Sequence, residues 1–264
     1  MFSGLDVIVF DAPAKQDVVI HPIADLHYGA AEFNEARWAR FVERVADKPN
    51  HYFVIVGDLI NNATRCSVSD IYRETCSPSA QKRWIAEQLK PIKDKILCGV
   101  GGNHERRSLK DVDDSPMYDV FAKLDIEDRF REDVAFVIFR IGSDNSDSVN
   151  GKYRPTYTMC VTHGAGNGMY IGSSANRAER FGMAIDNLDI LVTGHTHKPL
   201  TYPAAKLKID TQNKKILQTQ FTVVTATSWL DYGGYPVQKM LTPTAHRPNE
   251  IWLSSVGKEV RVVQ

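Results

Sequence analysis

A chain of 264 residues with 43% hydrophobic and 24% charged content has the make-up of a soluble globular protein and can bury a core without disulfides. Lys plus Arg and Asp plus Glu are 32 each, so the formal net charge is zero, which argues against a global electrostatic grip on nucleic acid while leaving room for a local basic patch. No apolar run approaches the ~20 residues that span a bilayer, and Met1 to Asp6 has neither a basic nor a long apolar segment of the leader type, so a cytoplasmic, reducing location is expected.

Taken in chain order, Val18–Ile20 predicts the first strand. Trp38, Phe41, Val42 and Val45 follow i, i+3, i+4, i+7 spacing and predict a helix, capped by Asn34 and stopped before Pro49. Tyr52–Val56 predicts a strand. Ser77-Pro78 is a cap followed by a first-turn proline, and opens a helix with Trp84, Ile85 and Leu89 on one side. Ile96–Val100 predicts a strand, and Ser115-Pro116 repeats the helix signal ahead of Met117, Val120, Phe121 and Leu124. Phe136–Phe139 and Tyr157–Val161 predict strands joined by the polar, turn-rich segment 143–151. Ile190–Val192 and Phe221–Val224 follow. After Asp231 the chain is rich in turns and prolines, with strand-like segments around Trp252 and at Val260–Val263. Short continuous apolar runs read as strands buried on both faces, and their alternation with helices predicts a layered α/β domain. No long linker divides the chain. One domain, 1–264, is expected, with a core at about 18–230 and a C-terminal extension at about 231–264 that closes the sheet and rims the site.

Cys66, Cys76, Cys98 and Cys160 form no CxxC pair, so a zinc ribbon is disfavoured. Cys98 and Cys160 lie in apolar runs and read as small buried hydrophobes. Cys66 and Cys76 flank a polar stretch, and the expected compartment weighs against a disulfide there.

Five short polar blocks stand where apolar strands end: Asp25-Leu26-His27, Gly57-Asp58, Gly102-Asn103-His104-Glu105, His163-Gly164 and Gly194-His195-Thr196-His197. Five of the eight histidines fall inside them. Asp, Asn and His offer the oxygen and nitrogen donors that suit divalent transition metals. In an open sheet, strand ends are where ligands meet a crevice. Asp25 and His27 are two residues apart, as are His195 and His197, so an extended chain would turn each pair to one side. Such a donor set suits two cations, and two cations point to phosphate-ester chemistry.

The order D-x-H, GD, GNH[DE], H, GHTH resembles that of the calcineurin-like metallophosphoesterases and covers about two thirds of the chain. The resemblance implies a four-layer α/β/β/α sandwich of two mixed sheets flanked by helices. It implies that Asp25, His27 and His197 hold one metal ion, that Asn103, His163 and His195 hold a second, and that Asp58 bridges them. His104 would then be the non-ligand histidine that protonates the leaving alkoxide, or a group that orients Asp58. The implied reaction is hydrolysis of a phosphate ester, foremost a phosphodiester in a nucleotide or nucleic acid, by a hydroxide between two divalent ions. Manganese leads, with iron, zinc, cobalt or nickel as alternatives. A single-domain DNA or RNA nuclease is the alternative reading. A protein phosphatase ranks lower, because Gly57-Asp58 does not run on to Asp-Arg-Gly. A non-catalytic scaffold ranks lower still, because every ligand position is filled.

Arg65, Arg106, Arg107, Arg177 and Arg180 are candidate phosphate clamps, since a guanidinium donates two parallel hydrogen bonds; Arg106 and Arg107 follow a motif directly. Asn61 and Asn62 stand beside Asp58 and are candidates for substrate oxygens, with turn formation as the competing reading. The glycine-rich stretch 164–168 is a candidate rim. Tyr170, Trp229, Tyr232 and Tyr235 are candidates for base stacking. His21 and His51 read as structural, and His246 as solvated.

Overall fold

The computed structural model describes residues 5–13, 15–65, 67, 71–142, 154–166 and 170–264. Cys66, the whole of the segment 143–151, and residues 167 and 168 of the glycine-rich stretch lie outside them, as does the side chain of Tyr235.

The elements run β1 (Val7–Ala12), β2 (Val18–Ile23), α1 (Glu35–Val45), β3 (His51–Ile55), α2 (Pro78–Leu89), β4 (Ile96–Val100), α3 (Glu105–Val112), α4 (Pro116–Lys123), β5 (Phe130–Arg131), β6 (Val134–Ile141), β7 (Thr156–Thr162), α5 (Ile171–Met183), β8 (Ile190–Thr193), β9 (Leu200–Asp210), β10 (Lys215–Thr225), α6 (Gly234–Gln238), β11 (Glu250–Leu253) and β12 (Val260–Val263). Asn34 caps α1 by accepting from the Arg37 N–H, and Ser77 caps α2 with Pro78 in the first turn. Ser115 makes no cap; its hydroxyl donates to Glu132 instead, at 2.9 Å.

The strands form two mixed six-stranded sheets, ordered β1-β6-β7-β8-β10-β9 and β12-β11-β2-β3-β4-β5. Within them β2, β3, β4 and β5 run parallel, as do β7, β8 and β10. Alternation along each strand divides the apolar side chains into three cores. Tyr52, Val54, Met159, Val161, Ile190 and Val192 face into the space between the sheets. Phe53 and Ile55 face outward against α1, α2 and α4, through Trp38, Ile85, Leu89, Met117 and Phe121. Cys160, Leu191, Phe221 and Val223 face the α5 side. Helix, sheet, sheet, helix is the resulting order of layers, which is the expected fold. The parallel strands β2, β3 and β4 of one sheet and β7 and β8 of the other bring their C-terminal ends to a common edge, and all five polar blocks follow those ends.

Three strands extend beyond the expected set. β1 pairs with β6 at one edge of its sheet and β9 pairs with β10 at the other, and the two-residue β5 pairs with β4 at an edge of the second sheet. β9 carries Pro203, Lys206 and Lys208, and its exposed outer half suits an edge strand. Cys76, Cys98 and Cys160 are free thiols. No helix among the described residues is long and apolar enough to cross a membrane.

Candidate metal centre

Five of the seven candidate ligands sit in left-handed backbone: Asp25 at φ 52°, His27 at 49°, Asp58 at 53°, His195 at 70° and His197 at 58°. Non-glycine residues rarely adopt this region, and each such residue costs about 1–3 kcal/mol, which surrounding structure must hold in place. Asp25 and His27 therefore do not continue β2 as extended chain. Their backbone still pairs across to the next loop, Asp25 N–H to Gly57 O at 3.1 Å and His27 N–H to Asp58 O at 3.0 Å.

Two glycines let the blocks close on each other. A Cβ on Gly57, itself at φ 84°, would stand 2.6 Å from Gly102 N, and one on Gly102 would stand 2.1 Å from Asp58 Oδ1. Buried Glu105, to which the sequence assigned no role, binds the two blocks together. Its carboxylate accepts from the N–H groups of Asp58 (2.9 Å), Leu59 (2.8 Å), Ile60 (3.2 Å) and Gly102 (2.9 Å). Burial and the Asp58 charge push its pKa up to about 7, against these four donors. The only sequence signal for it is its place directly after Gly102-Asn103-His104.

The seven donors converge. Asp58 Oδ2 is 3.1 Å from His163 Nε2 and 4.0 Å from His27 Nε2, and Asp58 Oδ1 accepts the His104 N–H at 2.8 Å. His27 Nε2 and His197 Nε2 are 3.0 Å apart, and stand 3.8 and 3.5 Å from Asp25 Oδ1. Asn103 Oδ1 lies 3.0 Å from His163 Nε2 and 2.7 Å from His195 Nδ1. Asp25, His27 and His197 form one group able to hold an ion, Asp58, His163 and His195 another, and His27, Asp58 and His104 a third that overlaps both.

The hydrogen bonds fit a pair of cations. His163 Nδ1 meets Val56 O at 2.6 Å, so in the neutral ring Nε2 carries the lone pair and faces two oxygens. His195 Nε2 meets Gly166 O at 2.8 Å, which leaves Nδ1 as an acceptor against the Asn103 oxygen. Asp25 Oδ1 is buried and has no hydrogen-bond partner. Acceptors facing acceptors call for a cation. Left to themselves, the side chains settle the conflict with protons. Burial pushes Asp25 well above the usual carboxylate range. Burial alone would lower His163, but the charge and hydrogen bond of Asp58 outweigh it and raise the ring to about 10. Burial opposes ionisation of Asp58, yet His163 and His104 hold it well below the usual range. Burial depresses His27 strongly and His197 to about 4, the form in which imidazole ligates.

His104 stands just before α3 with Nε2 3.9 Å from Asp58 Oδ2, and its Nδ1 meets Asn61 O at 2.7 Å. Arg107 Nη2 donates to His104 Nε2 at 3.0 Å, and Nη1 donates to Asn61 O at 3.0 Å. Arg106 points elsewhere, into an ion pair with Asp133 at 2.5 Å. The exposed Arg177 guanidinium lies against Gly166, whose carbonyl accepts from His195. Arg65 and Arg180 are exposed. The Asn61 side-chain amide donates to Glu74. Asn62 is fully buried and bonds His104 O at 2.8 Å and Ser108 Oγ at 2.9 Å, so it braces the loop and is closed to substrate. Trp229 is also closed: it packs on Trp38 and Phe41 in the core, while Tyr170 and Tyr232 are exposed. His21 and His51 lie apart, bonded to each other at 2.7 Å. His246 is half-buried, not solvated as expected.

A family model described as calcineurin-like phosphoesterase matches residues 19–199, a span that contains all seven donors. The chain belongs to the calcineurin-like phosphoesterases. As a member of this family it is a phosphoric ester hydrolase that works with divalent metal ions. Solved structures similar to this phosphoesterase include a conserved uncharacterized protein from Streptococcus pneumoniae, described as a predicted phosphoesterase. It has 11% identity, coverage of 93% of each chain and a TM-score of 0.38. The calcineurin-like phosphoesterase YfkN from Bacillus subtilis has 14% identity, coverage of 90% of this chain and 85% of the other, and a TM-score of 0.37. A metallophosphoesterase from Sphaerobacter thermophilus has 12% identity, coverage of 90% and 84%, and a TM-score of 0.39. No curated protein matches the chain.

Proposed function

We propose that this phosphoesterase hydrolyses a phosphodiester, in a nucleotide or nucleic acid, at a centre for two divalent ions, with manganese foremost. Asp25, His27 and His197 would hold one ion, Asn103, His163 and His195 the other, and Asp58 would lie between them. Such a pair, when bound, lowers the pKa of water toward neutrality and neutralises charge on phosphoryl oxygens. The observation that supports this reading most is the set of potential ligand atoms aimed at one another around Asp58, with His163 Nε2 at 3.1 Å and Asn103 Oδ1 3.0 Å from the same nitrogen.

The chain's own groups supply the remaining steps. The His104 N–H and the Glu105 clamp fix the Asp58 carboxylate and its loop. His104 gives a proton from Nε2 to the departing oxygen. Arg107 Nη2, which meets that nitrogen in the structure, turns to a phosphoryl oxygen when substrate arrives. Arg177 adds a second cation at the rim. Zero net charge favours a small nucleotide diester over a long polyanion.

The test is a manganese-reconstituted panel of aryl and alkyl monoesters, linear and cyclic nucleotide diesters, and single- and double-stranded oligonucleotides at two salt concentrations. Turnover of nucleotide diesters above monoesters is expected. Preferred hydrolysis of polymers would make the protein a nuclease, and activity on monoesters alone would overturn the diester assignment.

A further inference from the structure

We propose that Glu74 is a positioning residue for His104, acting through Asn61, and so governs protonation of the leaving group; this rests on the hydrolytic reading above. Glu74 lies outside the five motif blocks, on the loop that enters α2, and is half-buried. Its two oxygens are divided between two amides: Oε1 accepts from Asn61 Nδ2 and Oε2 from Gln81 Nε2. Gln81 is fully buried on α2; it also donates to Cys76 O at 2.9 Å and accepts the Asn62 N–H at 3.0 Å. The carboxylate is thus anchored to a helix on one side and sets the facing of Asn61 on the other.

Asn61 passes this on through its backbone. Its N–H donates to Tyr28 O at 2.9 Å, and its carbonyl receives His104 Nδ1 at 2.7 Å. With Nδ1–H committed to that carbonyl, Nε2 is the nitrogen turned toward Asp58. The loop of His27 makes room for the same group. A Cβ on Gly29, at φ 107°, would come within 2.9 Å of Glu74 Oε2 and closer still to Gln81.

The chemical consequence depends on the leaving group. Water adds its oxygen to phosphorus and sheds a proton as the P–O bond to the leaving group breaks. The electron pair of that bond stays on the departing oxygen, and the His104 imidazolium, once Arg107 has turned away from Nε2, delivers the Nε2 proton to give an alcohol. The ring is left neutral, with Nδ1–H still on Asn61 O, and the proton shed by the attacking water restores Nε2. An alkoxide needs that proton. A nitrophenolate departs without it.

The experiment compares Glu74→Ala with wild type, both manganese-loaded, on bis(p-nitrophenyl) phosphate and on the best alkyl phosphodiester of the panel. Glu74→Gln, which keeps one acceptor, replaces the alanine variant if that fails to fold. We expect kcat on the alkyl ester to fall by about 10- to 100-fold, and kcat on the aryl ester to stay within about twofold. Imidazole nitrogen-15 NMR of the metal-free proteins gives a readout independent of turnover: His104 is the Nδ1–H tautomer in wild type and a mixture in the variant. Equal losses on both substrates, no loss on either, or an unchanged tautomer would overturn the proposal. A manganese-loaded wild type inert toward every ester would instead sink the hydrolytic reading, and this inference with it.

Discussion

Two histidine pairs meet nitrogen to nitrogen among the described residues, and they are opposites in chemistry. His21 and His51 meet at 2.7 Å, and His27 and His197 at 3.0 Å. Burial depresses all four, to about 3 for His21 and about 4 for His51 and His197. His21 and His51 lie on regular strands, stacked with Phe53 and edged by Phe41, and the charges near them are the cations of Arg44, Lys48 and Lys95. His27 and His197 lie in left-handed backbone with Asp25 Oδ1 at 3.8 and 3.5 Å. Burial and imidazole contact are common to both pairs. A carboxylate within reach and a backbone held off its preferred conformation belong to the cradle alone, and those are the marks of a site built for a ligand.

The sharpest way to break this contrast is to disable each pair. Asp58→Asn is expected to cut hydrolysis by about three orders of magnitude, because it removes the carboxylate charge that faces both His27 and His163. The double variant His21→Phe/His51→Gln is expected to keep wild-type turnover. Thermal melts supply a second readout. Manganese at about 100 times its Kd should stabilise wild type by about 2.7 kcal/mol, or roughly 5–10 °C in Tm for a chain of this size. That shift should survive in the double variant and shrink in Asp58→Asn. An active Asp58→Asn enzyme, or a dead double variant, would erase the distinction.

Backbone closure around the cradle gives the next effect. Gly102→Ala places a methyl 2.1 Å from Asp58 Oδ1 and 2.4 Å from Asp58 N, so the two motif loops must part. Overpacking of this kind costs about 1–3 kcal/mol, and manganese affinity should fall at least about tenfold, read by calorimetric titration. An unchanged affinity would mean that the loops tolerate separation and that the strained donors are not held by this contact.

The structural pair has its own signature in acid. The folded pKa values of His21 and His51 lie below the ordinary value near 6.5, so the unfolded chain binds protons that the folded chain refuses. Their contribution is therefore present above about pH 6.5 and is lost as pH falls toward 4. Urea unfolding should show stability dropping by about 2–3 kcal/mol between pH 7 and pH 5, and the drop should flatten in His21→Phe/His51→Gln. An equal slope in both proteins would assign the acid sensitivity elsewhere.

The sequence made the cradle's membership legible because each donor follows a strand, and strands announce themselves as apolar runs. The caps at Asn34 and Ser77 were legible for the same reason: their chemistry is local. What stayed hidden is non-local. Spacing alone turned Asp25 and His27 to one side of an extended chain, whereas both are left-handed because their N–H groups bond to the loop of Gly57 and Asp58. Glu105 gave no sign that its carboxylate collects four N–H groups, three of them more than forty residues away. Trp229 sits in a turn-rich stretch that suggested exposure, yet tertiary packing on Trp38 buries it. β9 escaped notice because Pro203 and its lysines obscure a strand that has only one neighbour.

Each histidine group also feels an arginine at its margin, and the smallest expected effect separates those two. Arg177 lies against Gly166 and its charge reaches His195, whose pKa is lowered chiefly by burial. Arg44 reaches His21 in the same way, but pairs with Glu250 of β11 at 3.6 Å. An incoming phosphate ester carries its charge to the cradle, so of these two arginines Arg177 is the one placed to meet it. Arg177→Ala should raise KM about fivefold with kcat unchanged, equivalent to about 1 kcal/mol of uniform binding, and the effect should fade as salt screens an exposed charge. Arg44→Ala should leave both constants alone. A fall in kcat in Arg177→Ala would move that guanidinium from binding substrate to supporting the Gly166 carbonyl that holds His195, since a disturbed ligand would slow the chemical step rather than loosen the encounter.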